Sequence, residues 1–91
     1  MEIRRHPDRY ELEVDGDVIG HLEIVIDGST LTATSTVVDP ARGGQGYAGM
    51  LVKRMLDDAR EEGLSVIPAC SYVAAYIAKH EEYSDLLASS D

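Results

Sequence analysis

The sequence predicts an α+β domain: an antiparallel three-stranded meander, then a helix, a fourth strand and a C-terminal helix, in the order β-β-β-α-β-α. Two observations carry this reading. Residues 10–38 alternate apolar and polar side chains with period two, and from Tyr47 the apolar spacing changes to three and four. A third supports them, because the Asp-Gly pairs at 15–16 and 27–28 favour tight hairpins between the strands.

Tyr10, Leu12 and Val14 alternate with Glu11, Glu13 and Asp15, the pattern of a half-buried strand. Val18, Gly20, Leu22, Ile24 and Ile26 repeat it in the second strand. The third, Thr30 to Val38, is dense in β-branched residues that suit a pleated surface, and Pro40 stops it. Ala48, Leu51, Val52, Met55, Leu56 and Ala59 then form one apolar stripe on a helix of about four turns. Lys53/Asp57 and Arg54/Asp58 stand at i,i+4 on its polar side, and Gly63 suits the position after its C-terminus. Leu64 to Ile67 reads as a buried fourth strand ended by Pro68, which makes the helix a crossover. Ser71 is placed to cap a second helix, Tyr72 to His80, with a short helical turn in Glu81 to Leu87 and a frayed tail after it.

Length bounds the chain to one domain, residues 1–91, with one modest core. Eight Lys and Arg against 17 Asp and Glu give a net charge of −9, which repels nucleic acid and favours cationic partners such as amines. The single cysteine, Cys70, excludes an intrachain disulfide and a multi-cysteine zinc site, so a cytoplasmic setting is expected. The three histidines have no metal-ligand spacing, and no metal is expected. The charged N-terminus and the lack of a long apolar run imply neither a leader nor a membrane span.

The stretch VVDPARGGQGYAGMLV places four glycines between the third strand and the helix. A helix N-terminus presents unpaired N–H groups and a partial positive charge, so such a loop can cradle phosphate on Gly43, Gly44, Gln45, Gly46, Tyr47 and Ala48, with Arg42 as a cation at the rim. The plainer alternative is a strand-to-helix turn that needs positive φ at one or two positions. Gly44-x-Gly46-x-x-Gly49 also fits a dinucleotide fingerprint, but the preceding strand closes a meander and Ala69 and Cys70 stand where an acid is required. No Gly-Lys-Ser/Thr follows, which excludes a nucleoside-triphosphate loop.

The same stretch resembles the acetyl-CoA signature of the GNAT acetyltransferase superfamily, R/Q-x-x-G-x-G/A after a strand ending in V-x-P. Gly46 and Ala48 fill its last two places, and Gly43 stands where the family has Arg or Gln. Pro68, Cys70, Tyr72, Tyr76, His80, Glu82 and Tyr83 resemble the closing segment of a very short, single-domain GNAT-like subgroup, with Glu81 in place of its proline. The resemblance implies acetyl-CoA as cofactor and N-acetyl transfer to an unidentified amine by direct attack. It also implies a pantetheine arm along Val37 and Val38, with Gly49, Ser71 and Tyr72 completing the cofactor contacts. A non-catalytic acyl-CoA-binding module is the alternative, because the subgroup lacks the N-terminal helices that build an acceptor pocket.

Two residues carry candidate chemistry. The resemblance places Tyr76 where GNAT proteins have a general-acid tyrosine, and a phenol of pKa about 10 can reprotonate a thiolate; its plainer role is a half-buried helix tyrosine. Cys70 precedes a helix that can lower its pKa and make it a nucleophile, or it is a small packed hydrophobe. His21 and Glu23 share a strand face and could deprotonate an amine, although alternation alone makes them ordinary outward-facing residues.

Overall fold

A computed structural model describes residues 1–43 and 46–88. Its sheet has five strands in sequential order: β1 (Glu2–His6), β2 (Arg9–Val14), β3 (Asp17–Asp27), β4 (Thr30–Val38) and β5 (Ser65–Pro68). The first four pair antiparallel, and β5 joins β4 in parallel after the crossover helix α1 (Tyr47–Glu62). α2 (Ser71–Lys79) and a 3-10 turn (Glu81–Leu86) complete the described chain. The α+β class and the order of the later elements are those the sequence predicts.

The added strand is β1. Its sequence EIRRH carries one apolar residue, Ile3, so no alternation marks it. It is instead a charged edge strand, held to β2 by its ladder and by Arg4 on Glu13 and His6 on Glu11. At the first expected hairpin both central residues, Asp15 and Gly16, take positive φ, 51° and 85°. At the second, Asp27 still pairs with Thr30, and the turn falls on Gly28 and Ser29 with only Gly28 at positive φ.

α1 packs on β2, β3, β4 and β5 through Leu51, Val52, Met55, Leu56 and Ala59, five of the six residues in the predicted stripe. They meet Tyr10, Leu12, Leu22, Ile24, Leu31 and Ala33 from the sheet and Val73 and Ile77 from α2. Both helices therefore cover one sheet face, and Arg4, Glu11 and His21 lie in register on the other. The polar side of α1 does more than meet solvent. Asp58 accepts the Tyr10 hydroxyl at 2.7 Å and Asp57 accepts that of Tyr83 at 2.6 Å, which ties α1 to the sheet and to the final turn. β5 is an edge strand in which Val66 is buried and Ile67 exposed, so it is half-buried rather than fully buried. Ser71 is the first residue of α2, with Cys70 at the N-cap and no side-chain cap, which corrects the capping role expected for Ser71. Among the described residues no helix is long and apolar enough to cross a membrane.

Candidate functional site

β4 and β5 form a fork. They pair only from Thr30/Ser65 to Ala33/Pro68, and the Cys70 N–H on Ala33 O at 2.9 Å is the last link before they part. Above it the other edge of β4 remains bound to β3. Asp39 donates its N–H to Ile19 O at 2.7 Å, one step beyond the Gly20/Val38 pair. Antiparallel ladders alternate, so Val37 faces β3 with its backbone, while Thr36 and Val38 turn theirs toward the fork. The edge expected at Val37 and Val38 thus belongs to Thr36 and Val38, and Val37 presents an exposed side chain. The close approach depends on Gly20: a Cβ there would stand 3.0 Å from Val37 O and 3.1 Å from a Val38 methyl.

The loop above the fork is more than a run of glycines. Asp39 accepts the Ala41 N–H on its side chain and starts a 3-10 turn, Pro40–Arg42, that holds Arg42 half-buried at the rim. The Gly43 N–H donates to Pro40 O at 3.2 Å, so it is committed within this turn and is not a free donor of the cradle. Gly44 and Gln45 lie outside the described residues. Gly46 opens α1 at φ 76°, and apart from its chain neighbours no atom of the described residues lies within 4 Å of where its Cβ would stand. The first α-helical bond runs from Met50 N to Gly46 O, and no side chain caps the helix among the described residues. Among the described residues the N–H groups of Tyr47, Ala48 and Gly49 therefore have no capping partner, and they carry the positive end of α1.

A groove at this point is lined by Val38, Arg42, Gly43, Gly46, Tyr47, Ala48 and Tyr72. It unites the end of β4, the loop, the uncapped helix and the first turn of α2. Uncapped N–H groups, a cation and room beside Gly46 fit a diphosphate, and beyond the last β4/β5 pair the backbone groups of Thr36 and Val38 face the fork with no ladder partner among the described residues. Ser71 is exposed and does not line the groove. Gly49 packs instead, its bare backbone leaving a Cβ position 3.6 Å from the Tyr72 hydroxyl and the Tyr76 ring.

Cys70 sits at the base of the fork, half-buried, with its thiol donating to Thr36 Oγ1 at 3.5 Å. Burial raises its pKa, but the Thr36 hydroxyl and the N–H groups of Val73, Tyr72 and Thr36 outweigh this and hold it below the ordinary thiol value. Thr36 is the residue of this candidate site that sequence reasoning misses; only its place in the alternation of β4 marks it. Tyr76 lies one turn or more down α2, its ring stacked on His80 at 3.9 Å, and burial pushes its phenol up. It opens onto another groove with Tyr72, Ala75, Lys79 and His80. His21 and Glu23 line a third groove on the helix-free face, with Asp8, Arg9 and Thr34. Among the described residues no group of His, Cys, Asp and Glu is arranged to hold a metal ion.

The sequence pattern described as GCN5-related N-acetyl-transferase matches residues 9–86, which takes in the fork, the loop and both helices. The chain belongs to the GCN5-related N-acetyltransferase family. No curated protein sequence gives a significant match. Among solved structures, a GCN5-like protein from Staphylococcus aureus is 23% identical with a TM-score of 0.76, over 99% of this chain and 90% of its own. The ribosomal-protein-S18-alanine N-acetyltransferase from Escherichia coli is 20% identical with a TM-score of 0.65, over 87% of this chain. Rv2747 from Mycobacterium tuberculosis, solved in complex with CoA, is 22% identical with a TM-score of 0.61, over 92% of this chain. This family member spans only 53% and 60% of the last two. What all three share with it is the fold.

Proposed function

We propose that this family member, of the short single-domain kind marked by Pro68-x-Cys70-x-Tyr72, binds acetyl-CoA and transfers its acetyl group to an amine by direct attack. One observation carries the reading: an uncapped, glycine-opened helix N-terminus stands at the mouth of a fork whose β4 edge has unpaired backbone groups. Acetyl-CoA supplies a thioester whose carbonyl carbon an amine attacks, leaving the CoA thiol. The N–H groups that open α1, with Arg42, hold the diphosphate, and Thr36 and Val38 bond the pantetheine amides.

Between the two candidate proton carriers the pKa directions favour Cys70. A proton passes downhill from a thiol of lowered pKa to a departing thiolate of ordinary basicity, and uphill from a phenol raised above its ordinary value of 10.0. Cys70 also stands at the fork, whereas Tyr76 opens onto the outer groove. The net charge of −9 favours a cationic acceptor.

Calorimetry tests the binding claim, with micromolar CoA affinity expected and no heat at high micromolar ligand defeating it. Turnover across an amine panel tests the chemistry. Cys70→Ala is expected to lower kcat about tenfold or more, and a larger loss in Tyr76→Phe would return the proton role to the tyrosine. An acetyl adduct on Cys70 in acid-quenched mass spectra would replace direct attack with a two-step route. The second reading, a non-catalytic acyl-CoA-binding module, is favoured by the absence, among the described residues, of any carboxylate or imidazole bonded to the Cys70 thiol or the Tyr76 hydroxyl. Tight CoA binding with no acetylation of any amine would establish it.

A further inference from the structure

Six of the eight Lys and Arg side chains, Arg4, Arg5, Arg9, Lys53, Arg54 and Arg60, form ion pairs with carboxylates. Arg42 and Lys79 have no such partner among the described residues, although the chain holds an excess of acids. These two cations line neighbouring grooves that share one wall. Arg42 lines the groove at the start of α1, Lys79 lines the groove on the outer side of α2, and Tyr72 lines both. Tyr72, Ala75, Tyr76 and Lys79 stand at i, i+3, i+4 and i+7, so they occupy one face of α2. Lys79 is about 10 Å along the axis from Tyr72, and helical side chains lean toward the N-terminus, which brings its ammonium back toward the shared wall. The groove floor is rigid, because the Tyr76 ring stacks on His80, whose Nδ1–H donates to Tyr76 O at 2.8 Å. Tyr72 is 43% exposed and offers part of its aromatic side chain to solvent.

We infer that the α2 groove is a second phosphate subsite, which takes the adenosine 3′-phosphate end of the coenzyme. This rests on the acetyl-CoA reading above. With the diphosphate on Arg42 and the start of α1, the adenosine lies along Tyr72 and its 3′-phosphate pairs with Lys79 Nζ. The subsite makes Lys79 a residue that discriminates CoA from its 3′-dephosphorylated form.

The test is calorimetry of the full chain with CoA and with 3′-dephospho-CoA. The wild type is expected to bind CoA about tenfold more tightly, the scale of one charge-assisted phosphate contact. Lys79→Ala should bring CoA down to the dephospho-CoA affinity while leaving the latter unchanged, Lys79→Arg should restore the difference, and Arg42→Ala should weaken both ligands alike. Equal wild-type affinities, or a Lys79→Ala variant that weakens both ligands equally, would overturn the subsite and leave the coenzyme reading standing. Failure of both ligands to bind would overturn the two together.

Discussion

Thr36 and Cys70 act as a pair. The Thr36 hydroxyl accepts from the thiol and, turned around, donates to the thiolate, so it holds the Cys70 pKa down. Thr36→Val is therefore expected to move the pH midpoint of iodoacetamide labelling of Cys70 upward, since the thiolate loses a donor. A downward or absent shift would show that Thr36 does not tune the thiol. A proton-donating Cys70 further requires the high-pH limb of kcat to move upward in the same variant. Gly43 is the other residue whose neighbours decide its fate. Its φ of −63° and ψ of 155° suit any residue, and a Cβ would meet only Pro40 O at 3.3 Å. Gly43→Arg should stay within about 0.5 kcal/mol of the parent stability and tighten CoA binding, as read by denaturation and calorimetry; a large loss of stability would mean that Pro40 cannot yield.

The element that matters most is the last stretch of β4. Its register shifts at Thr34, between the Ile24/Ala33 and Glu23/Ser35 pairs, and this bulge decides which backbone groups later face the fork. Gly20 then lets β3 approach Val38 closely. Gly20→Ala drives a Cβ against the Val37 carbonyl oxygen, which is backbone and gives little. A loss of about 1–3 kcal/mol is expected in urea denaturation, together with weaker CoA binding as Val38 is displaced. Unchanged affinity in a destabilised variant would mean that the end of β4 does not hold the coenzyme.

For the molecule as a whole, surface carboxylates set the acid limit. Arg5 holds Glu62 below its ordinary value of 4.5, Arg9 does the same for Glu11, and Arg60 holds Asp85 below 3.8. Burial pushes Asp57 up, but Lys53 and the Tyr83 hydroxyl more than offset it. Each group binds its proton less readily folded than unfolded. The stability each contributes is thus complete above the unfolded values and lost as pH falls through the lower folded ones. The thermal midpoint should fall between about pH 5 and about pH 3, and a midpoint that holds steady through that window would contradict this account.

The sequence by itself determined the elements with a strong apolar period, the crossover between β4 and β5, and the loop that opens α1. It did so because the stripe from Leu51 to Ala59 and the alternation in Tyr10–Val14 are local consequences of burying one face. β1 escaped it, since a charged edge strand with only Ile3 apolar leaves no period to read. The site was half legible: the loop, Arg42 and Cys70 could be named from motifs. That Gly43 spends its N–H on Pro40, that Thr36 rather than Val37 faces the fork, and that Tyr72 joins two grooves came only from the tertiary structure. Ladder phase, a bulge and the parting of two strands depend on contacts between residues far apart in the chain, which no local pattern records.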